Sequence, residues 1–389
     1  MTMTMSTPLT TFRDRFPALA DTVHLAACSI AARSTDMDHA LTTMLDDLSR
    51  PGFWATCEEH MLQARRRFAH LIGADTDQIA ILPNASVAAY QAAAGLRWRR
   101  RPHLLTTPAE FPGIAHVWLA QRSRGAQVRW CDTSAGRVTA VDYLNGITVR
   151  TGLVSIPAVT YRDATRLNIA RIADAAHAAG AKVFVDAYQA AGVMPIDVDA
   201  LRCDYLVAGT GKYLLGLPGL AFLYTRDPQG PAPTLTGWLG RVAPHAFDPT
   251  TLDFPPHARR LEIGTPSVAA VYTAVAGLSL TEQLDLVAVR QHTRRLVADA
   301  ATRLVGQGEI VLLSGNIDEQ GAHLALMEPH AEAMAAWLAH RNIIVAPRAG
   351  VVRLAMHAYT TREDLDAVCE GIAAYRVGSR TRQRAGAAR

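Results

Sequence analysis

The sequence predicts an α/β protein: a large domain with a mostly parallel sheet flanked by helices, plus a smaller C-terminal α+β domain. Three observations carry this. Short runs that are apolar throughout, such as "IAIL" (79–82) and "KVFVDA" (182–187), alternate with helical patterns, as strands buried on both faces do. After about residue 256 the texture changes to a long helical stretch followed by further strand and helix signals. A chain of 389 residues, 49% hydrophobic and 19% charged, is long and apolar enough to bury a sizeable core.

Taken in order, residues 1–20 form an N-terminal segment expected to pack with the small domain. The large domain is expected over 21–255. The strand "IAIL" leads into the helical "ASVAAYQAAAGL". Strands "HLLTT" (103–107), "QVRWCD" (127–132) and "LVSIP" (153–157) follow. In "NIARIADAAHAAG" the apolar positions Ile169, Ile172, Ala173 and Ala176 keep a helical period, and Gly180 sits where a C-terminal cap belongs. Next come "KVFVDA", "DYLVAG" (204–209) and "LAFLYT" (220–225). The Pro-rich "DFPPHARR" marks a domain boundary, and 256–375 form the small domain. There a helical stretch runs over about 266–305. It precedes "AHLALM", a helix near 331–341, "NIIVAP", "VVRLAMH" and a last helix from about 362. Residues 376–389 are expected to be a disordered basic tail.

Composition excludes several classes. The formal charge is only +4, and much of it comes from the tail's five arginines, so nucleic acid is not an expected partner. "RWRRRP" (97–102) reads as a solvated turn rather than a stacking platform built on Trp98. No apolar run approaches the roughly 18 residues that span a membrane. The N-terminus shows no secretion signal. Cysteines 28, 57, 131, 203 and 369 are scattered, without metal spacing, which fits free thiols in a cytoplasmic protein and no metal site.

The lysines carry the chemistry. Of 39 lysines and arginines only Lys182 and Lys212 are lysine. Open parallel sheets bind ligands beyond the carboxyl ends of their strands. Lys182 opens its strand and lies on the wrong edge, whereas Lys212, in "GTGKYLLG", follows "YLVA" and lies on the right one. Its glycines admit close backbone approach. A partly desolvated neutral amine can condense with an aldehyde. The P-loop pattern fails, because Leu206 stands where its first glycine belongs and Tyr213 follows the lysine. Asp186 ends its strand on the same edge, and a buried carboxylate needs a cationic partner, which a protonated pyridine nitrogen supplies. "PNAS" (83–86) opens a helix whose free N–H groups and Ser86 make an anion site.

With these residues in order, the sequence resembles the class V aminotransferase family of fold-type I pyridoxal 5'-phosphate (PLP) enzymes, in the kynureninase, isopenicillin-N-epimerase-like and C–S lyase branch. The likeness covers nearly the whole chain. It includes the stretch from Asp186 to Lys212, "EIGTPS" (262–267) and "VVRLAMHAYTTREDLDAV". The resemblance implies that Lys212 holds PLP as an imine and moves the substrate's Cα proton. It implies that Asp186 keeps the ring nitrogen protonated and that Gln189 reaches the ring's phenolic oxygen. By the same likeness Phe111 stacks on the ring, and Ala85, Ser86 and Thr210 meet the phosphate. Thr265 would reach the phosphate of a neighbouring subunit in a homodimer. Arg353 would grip the α-carboxylate of an amino acid substrate, and Cys28 and Ser29 would line its pocket.

The stretch "NIIVAPRAGVVR" lacks the cysteine that desulfurases carry shortly before this arginine. The sequence therefore favours a C–S lyase acting by β-elimination on an S-substituted cysteine, in secondary or thiol metabolism. Transamination, epimerisation and decarboxylation-coupled deamination remain open on the same scaffold. A non-catalytic PLP-binding regulator is a further alternative.

Overall fold

The computed structural model describes residues 9–134 and 136–387. Its main sheet has seven strands: β2 (Ile79–Leu82), β3 (His103–Thr106), β4 (Gln127–Trp130), β5 (Thr151–Pro157), β6 (Lys182–Asp186), β7 (Tyr205–Gly209) and β8 (Ala221–Thr225). Their spatial order is β2-β8-β7-β6-β5-β3-β4. Only β8 runs against the rest, pairing antiparallel with both β2 and β7. Alternate residues of each strand enter two cores. Val183 and Val185 pack on one face, and Phe184 on the other. That two-sided burial is why these segments read as continuous apolar runs. The edge strand β4 is the exception and keeps Arg129 and Trp130 in water.

Strand direction decides where chemistry can sit. Pro157 pairs with Asp186, and Asp186 with Val207, so β5, β6 and β7 end together. Asn84 and Ala85 follow β2, Glu110 and Phe111 follow β3, and Lys212 follows β7. Lys182 lies at the opposite end of β6, exposed, with its amine 2.7 Å from Asp204. The sheet thus separates the two lysines along its strand direction.

A second sheet has the order β1-β11-β12-β10-β9, built from β1 (Val23–Leu25), β9 (Val311–Leu312), β10 (His323–Met327), β11 (Ile343–Arg348) and β12 (Val351–Ala355). The helices Leu286–Gly306, Ala331–Ala339 and Arg362–Ala387 pack on it around Leu324, Leu326, Val352 and Leu354.

Several boundaries differ from the sequence reading. β1 pairs in parallel with β11, so residues 23–25 belong to the second sheet and not to the large unit. The long helical stretch is two helices, because Asp285 accepts from Val287 N and Ala288 N and starts a new one. The first of them, Val268–Glu282, sends Val271, Ala274 and Leu278 into the core of the main sheet, so the sheet's own unit extends past 255. The last helix runs to Ala387, so the supposed tail begins as helix, with Arg376 held by Glu309 at 2.8 Å and by Glu328. Residues 388 and 389 lie outside the described residues.

Residues 1–8 also lie outside them. Beyond these, Arg13 bonds Asp364 at 2.7 Å, and Phe16 packs 4.9 Å from the Tyr359 ring. Trp98 is buried in the core and offers no face for stacking. Among the described residues no helix is long and apolar enough to cross a membrane.

Candidate active site

The carboxyl ends of β2, β3, β5, β6 and β7 enclose a cavity of about 210 Å3. Ala85, Ser86, Phe111, Asp186, Gln189 and Lys212 all line it, so residues spread over 128 positions of sequence meet there. Tyr161, Tyr188 and Val159 complete its wall. The Lys212 amine lies 5.5 Å from the Phe111 ring centre and 4.9 Å from that of Tyr188. Burial pushes its pKa below the usual lysine range, although Asp186 pulls the other way. That shift favours the neutral amine over the ammonium. Asp186 is buried, and burial raises its pKa against the opposing pull of the Tyr188 N–H and Lys212. Its Oδ1 accepts from Tyr188 N at 2.9 Å.

At the cavity's other end the helix Ala85–Ala94 begins. Asn84 caps it by accepting from Val87 N at 3.1 Å. The earlier N–H groups, of Ala85 and Ser86, point out of the helix end as an anion site. Ser86 Oγ donates to Gly113 O at 2.8 Å.

Behind Phe111 lies a residue that the sequence reading passed over. Glu110 is buried, and its carboxyl accepts from Ser155 Oγ (2.8 Å), Thr106 Oγ1 (3.4 Å) and Phe111 N (3.1 Å). Burial, and then the charge of Asp186, push its pKa up to about 8. Glu110 thus fixes the backbone of Phe111 and shares a field with Asp186. Its position next to "FPG" was legible, but its contact with β5 was not.

Arg353, on β12, is 2% exposed. Nη1 donates to Tyr161 O at 2.8 Å and Nε to Ala346 O at 3.3 Å. Among the described residues no carboxylate pairs with it. A buried guanidinium without a counter-ion is a receptor for an anion, and its charge is felt at Lys212. Cys28 is 1% exposed, and its carbonyl accepts from Gln189 Nε2 at 3.0 Å. Burial raises the pKa of its thiol, with Arg353 and Lys212 acting against that.

Five expected residues do not line the cavity: Arg353 and Cys28, which are buried and bond the lining residues Tyr161 and Gln189, and three that fall elsewhere. Thr210 is fully buried, with its hydroxyl bonded to the carbonyls of Leu217 and Leu220, so it does not line the cavity. Ser29 and Thr265 are exposed and outside it.

The family model described as Aminotransferase class-V matches residues 51–368. The chain belongs to the class V aminotransferase family. An uncharacterised aminotransferase of Bacillus subtilis, YcbU, is 36% identical over 367 residues, which are 93% of this chain and 97% of that one. A kynureninase of Deinococcus radiodurans is 29% identical over 293 residues, 72% of this chain and 68% of the relative. Among solved structures, a cystine C–S lyase, C-DES, superposes with a TM-score of 0.84 at 21% identity, over 92% of this chain and 99% of that one. An apo cysteine desulfurase from Thermococcus onnurineus gives 0.84 at 19% identity, over 95% and 98%. These structures share the fold.

As a class V aminotransferase-family member with fold-type I architecture, the chain is a PLP-dependent enzyme. Its residues fit that cofactor. Gln189 Oε1 is buried without a hydrogen-bond partner and can accept from a ring hydroxyl. Asp186 meets the need of a ring nitrogen for an acidic partner. The helix start at Ala85 suits a phosphate, and Lys212 suits the aldehyde.

Proposed function

We propose that this enzyme is a C–S lyase that eliminates the sulfur substituent of an S-substituted cysteine. One observation carries the choice of lyase over sulfur transfer. All five cysteines are buried, and the turn joining β11 to β12 has none. A desulfurase must bring its own thiolate to the substrate sulfur, whereas a lyase releases that sulfur as a leaving group and needs no thiol.

PLP, when bound, supplies an electron sink that makes the Cα–H bond of an amino acid acidic. The chain's own groups do the rest. Arg353 binds the α-carboxylate through its remaining guanidinium N–H groups, since Nε and one Nη1 proton already serve the Ala346 and Tyr161 carbonyls and, among the described residues, no carboxylate competes for the rest. Lys212 Nζ, poorly solvated and with its pKa lowered by burial, takes the Cα proton. The electron pair left at Cα expels the substituent from Cβ as a thiolate. Hydrolysis of the remaining fragment gives pyruvate and ammonium, with no net redox change. Asp186 holds a proton at the ring nitrogen, and Phe111, Tyr161 and Val159 keep water from the reacting atoms.

A second reading, transamination, is favoured by the relative named an aminotransferase at 36% identity. It would share the proton transfer at Lys212 Nζ. The working form in this proposal is a cytoplasmic homodimer. Support comes from the exposed rings of Trp54, Trp238 and Phe247, which offer apolar surface to a second copy.

Product analysis decides between the readings. The PLP-loaded enzyme incubated with a panel of S-alkyl cysteines should release thiol, pyruvate and ammonium without any added 2-oxo acid. Turnover that requires a 2-oxo acid, and yields the keto acid with its C–S bond intact, would overturn the lyase assignment.

A further inference from the structure

We infer that Tyr188 is a ligand of the cofactor's phosphate group, a reading that rests on PLP occupying the cavity beside Lys212. Three placements converge on its side chain. Its backbone N–H is tied to Asp186, and its ring stands 4.9 Å from the Lys212 amine, so it walls the cavity between the two. Its hydroxyl reaches toward the start of the helix Ala85–Ala94, where the Ala85 N–H acts to lower its pKa. The hydroxyl also fills a slot that exists only because residue 209 is glycine. A Cβ there would sit 1.9 Å from the phenol oxygen and 2.0 Å from Cζ. Any other residue at 209 would drive the ring out, so β7 ends in a shape made for this phenol.

The proton count gives the slot a purpose. Asn84 already uses the Val87 N–H, and the Ala88 N–H bonds Asn84 O. That leaves the Ala85 and Ser86 N–H groups at the anion site. Burial, and then the charge of Asp186, keep Tyr188 a neutral phenol. A neutral phenol carries a proton to give, and a phosphate oxygen at the helix start would accept it. Tyr188 thus adds a side-chain donor to the Ala85 and Ser86 N–H groups. It serves the phosphate, whereas Asp186 and Gln189 serve the ring.

Tyr188→Phe removes the hydroxyl and adds no atom, so the fold and the ring wall should persist. The full-length chain, stripped of cofactor, is titrated with PLP and with pyridoxal, which lacks the phosphate. The Kd of the variant for PLP should rise tenfold or more, while its Kd for pyridoxal stays that of the parent. Unchanged or tighter PLP binding would overturn the inference, the tighter case showing that the phenol competes with phosphate for Ala85. A parallel loss of both compounds would overturn it too, since the ring wall alone would then be at fault. Failure of the parent chain to bind PLP would instead remove the cofactor reading beneath it.

Discussion

A guanidinium and an amine set the residue scale. Lys212 is the only lysine on the functional edge, and its amine lies between two aromatic rings. Borohydride reduction should fix the cofactor covalently on the peptide carrying residue 212, and label on Lys182 would contradict the assignment. Lys212→Ala should still retain PLP through the phosphate and ring contacts, yet lose several orders of magnitude in turnover. Arg353 gives a sharper test, because charge and geometry separate. Arg353→Lys keeps the cation but loses the planar fork, and it also loses the bonds to Tyr161 O and Ala346 O. KM for an amino acid substrate should rise at least about tenfold, roughly 1.4 kcal/mol. Decarboxylated amine analogues should be poor substrates of parent and variant alike. Equal handling of amino acids by both proteins would place the carboxylate elsewhere. Lys212 and Asp186 were legible in the sequence because strand direction and a rare residue type suffice to place them. Glu110 and Tyr188 were not, since their partners, Ser155 and Gly209, come from other strands and no local pattern announces the contact. Thr210 was misread for the reverse reason: its local pattern suits a phosphate, but nearby loop carbonyls occupy its hydroxyl.

At the scale of elements, the loop after Lys212 is backed by the helix Val268–Glu282. Gly277 lies on the contacting face. A Cβ there would stand 2.2 Å from Leu214 O and 2.7 Å from the Leu215 carbonyl carbon, both backbone atoms with little freedom to move. Leu215 itself has a φ of 60°, so the loop is already constrained. Alanine would favour the helix by about 1 kcal/mol over glycine, but the overpacking costs typically 1–3 kcal/mol or more. The clash should win. Gly277→Ala should lower the urea midpoint, reflecting a net loss of up to about 2 kcal/mol, and loosen PLP retention, because the displaced loop carries Lys212. A variant more stable than the parent would show that the loop is not held against this helix. The strands of the main sheet were legible because two-sided burial writes a continuous apolar run. β1 was not, since a three-residue strand has too little pattern, and its partner Ile343 lies at the far end of the chain. The break at Asp285 was hidden because apolar residues keep a helical spacing on both sides of it.

For the whole molecule, buried titratable groups set the pH at which the fold is firmest. His24 and His357 are buried, and burial lowers both from 6.5 to about 4. The Tyr359 hydroxyl lies 3.1 Å from His24 Nδ1, with Asp364 acting to raise its pKa. His357 uses both ring nitrogens, accepting from Ala358 N at 2.7 Å and donating to Tyr213 O at 3.1 Å, which fixes the neutral form. Between pH 4 and 6.5 the unfolded chain binds protons that the fold refuses, so stability is lost as pH falls. Each imidazole accounts for about 3 kcal/mol across that interval. Glu110 has the opposite sign. Its pKa stands near 8 in the fold against 4.5 when unfolded, so the fold holds a proton that the unfolded chain releases. Stability due to Glu110 is lost as pH rises from 4.5 to 8. Asp186, also raised, adds to the same limb. Below pH 6.5 the imidazoles, with buried His323 lowered as well, outweigh the carboxyl of Glu110, and above it Glu110 continues to titrate up to about 8. The cofactor-free enzyme should therefore be most stable near pH 6.5, with stability falling on both the acid and the alkaline side. Glu110→Gln keeps the shape but cannot ionise. Urea midpoints measured from pH 4.5 to 8 should show the variant's alkaline limb flattened and its acid limb steepened. An alkaline limb as steep as the parent's would mean that Glu110 is ionised in the fold. Asp186 would then share its field with a permanent negative charge rather than with a proton held in reserve.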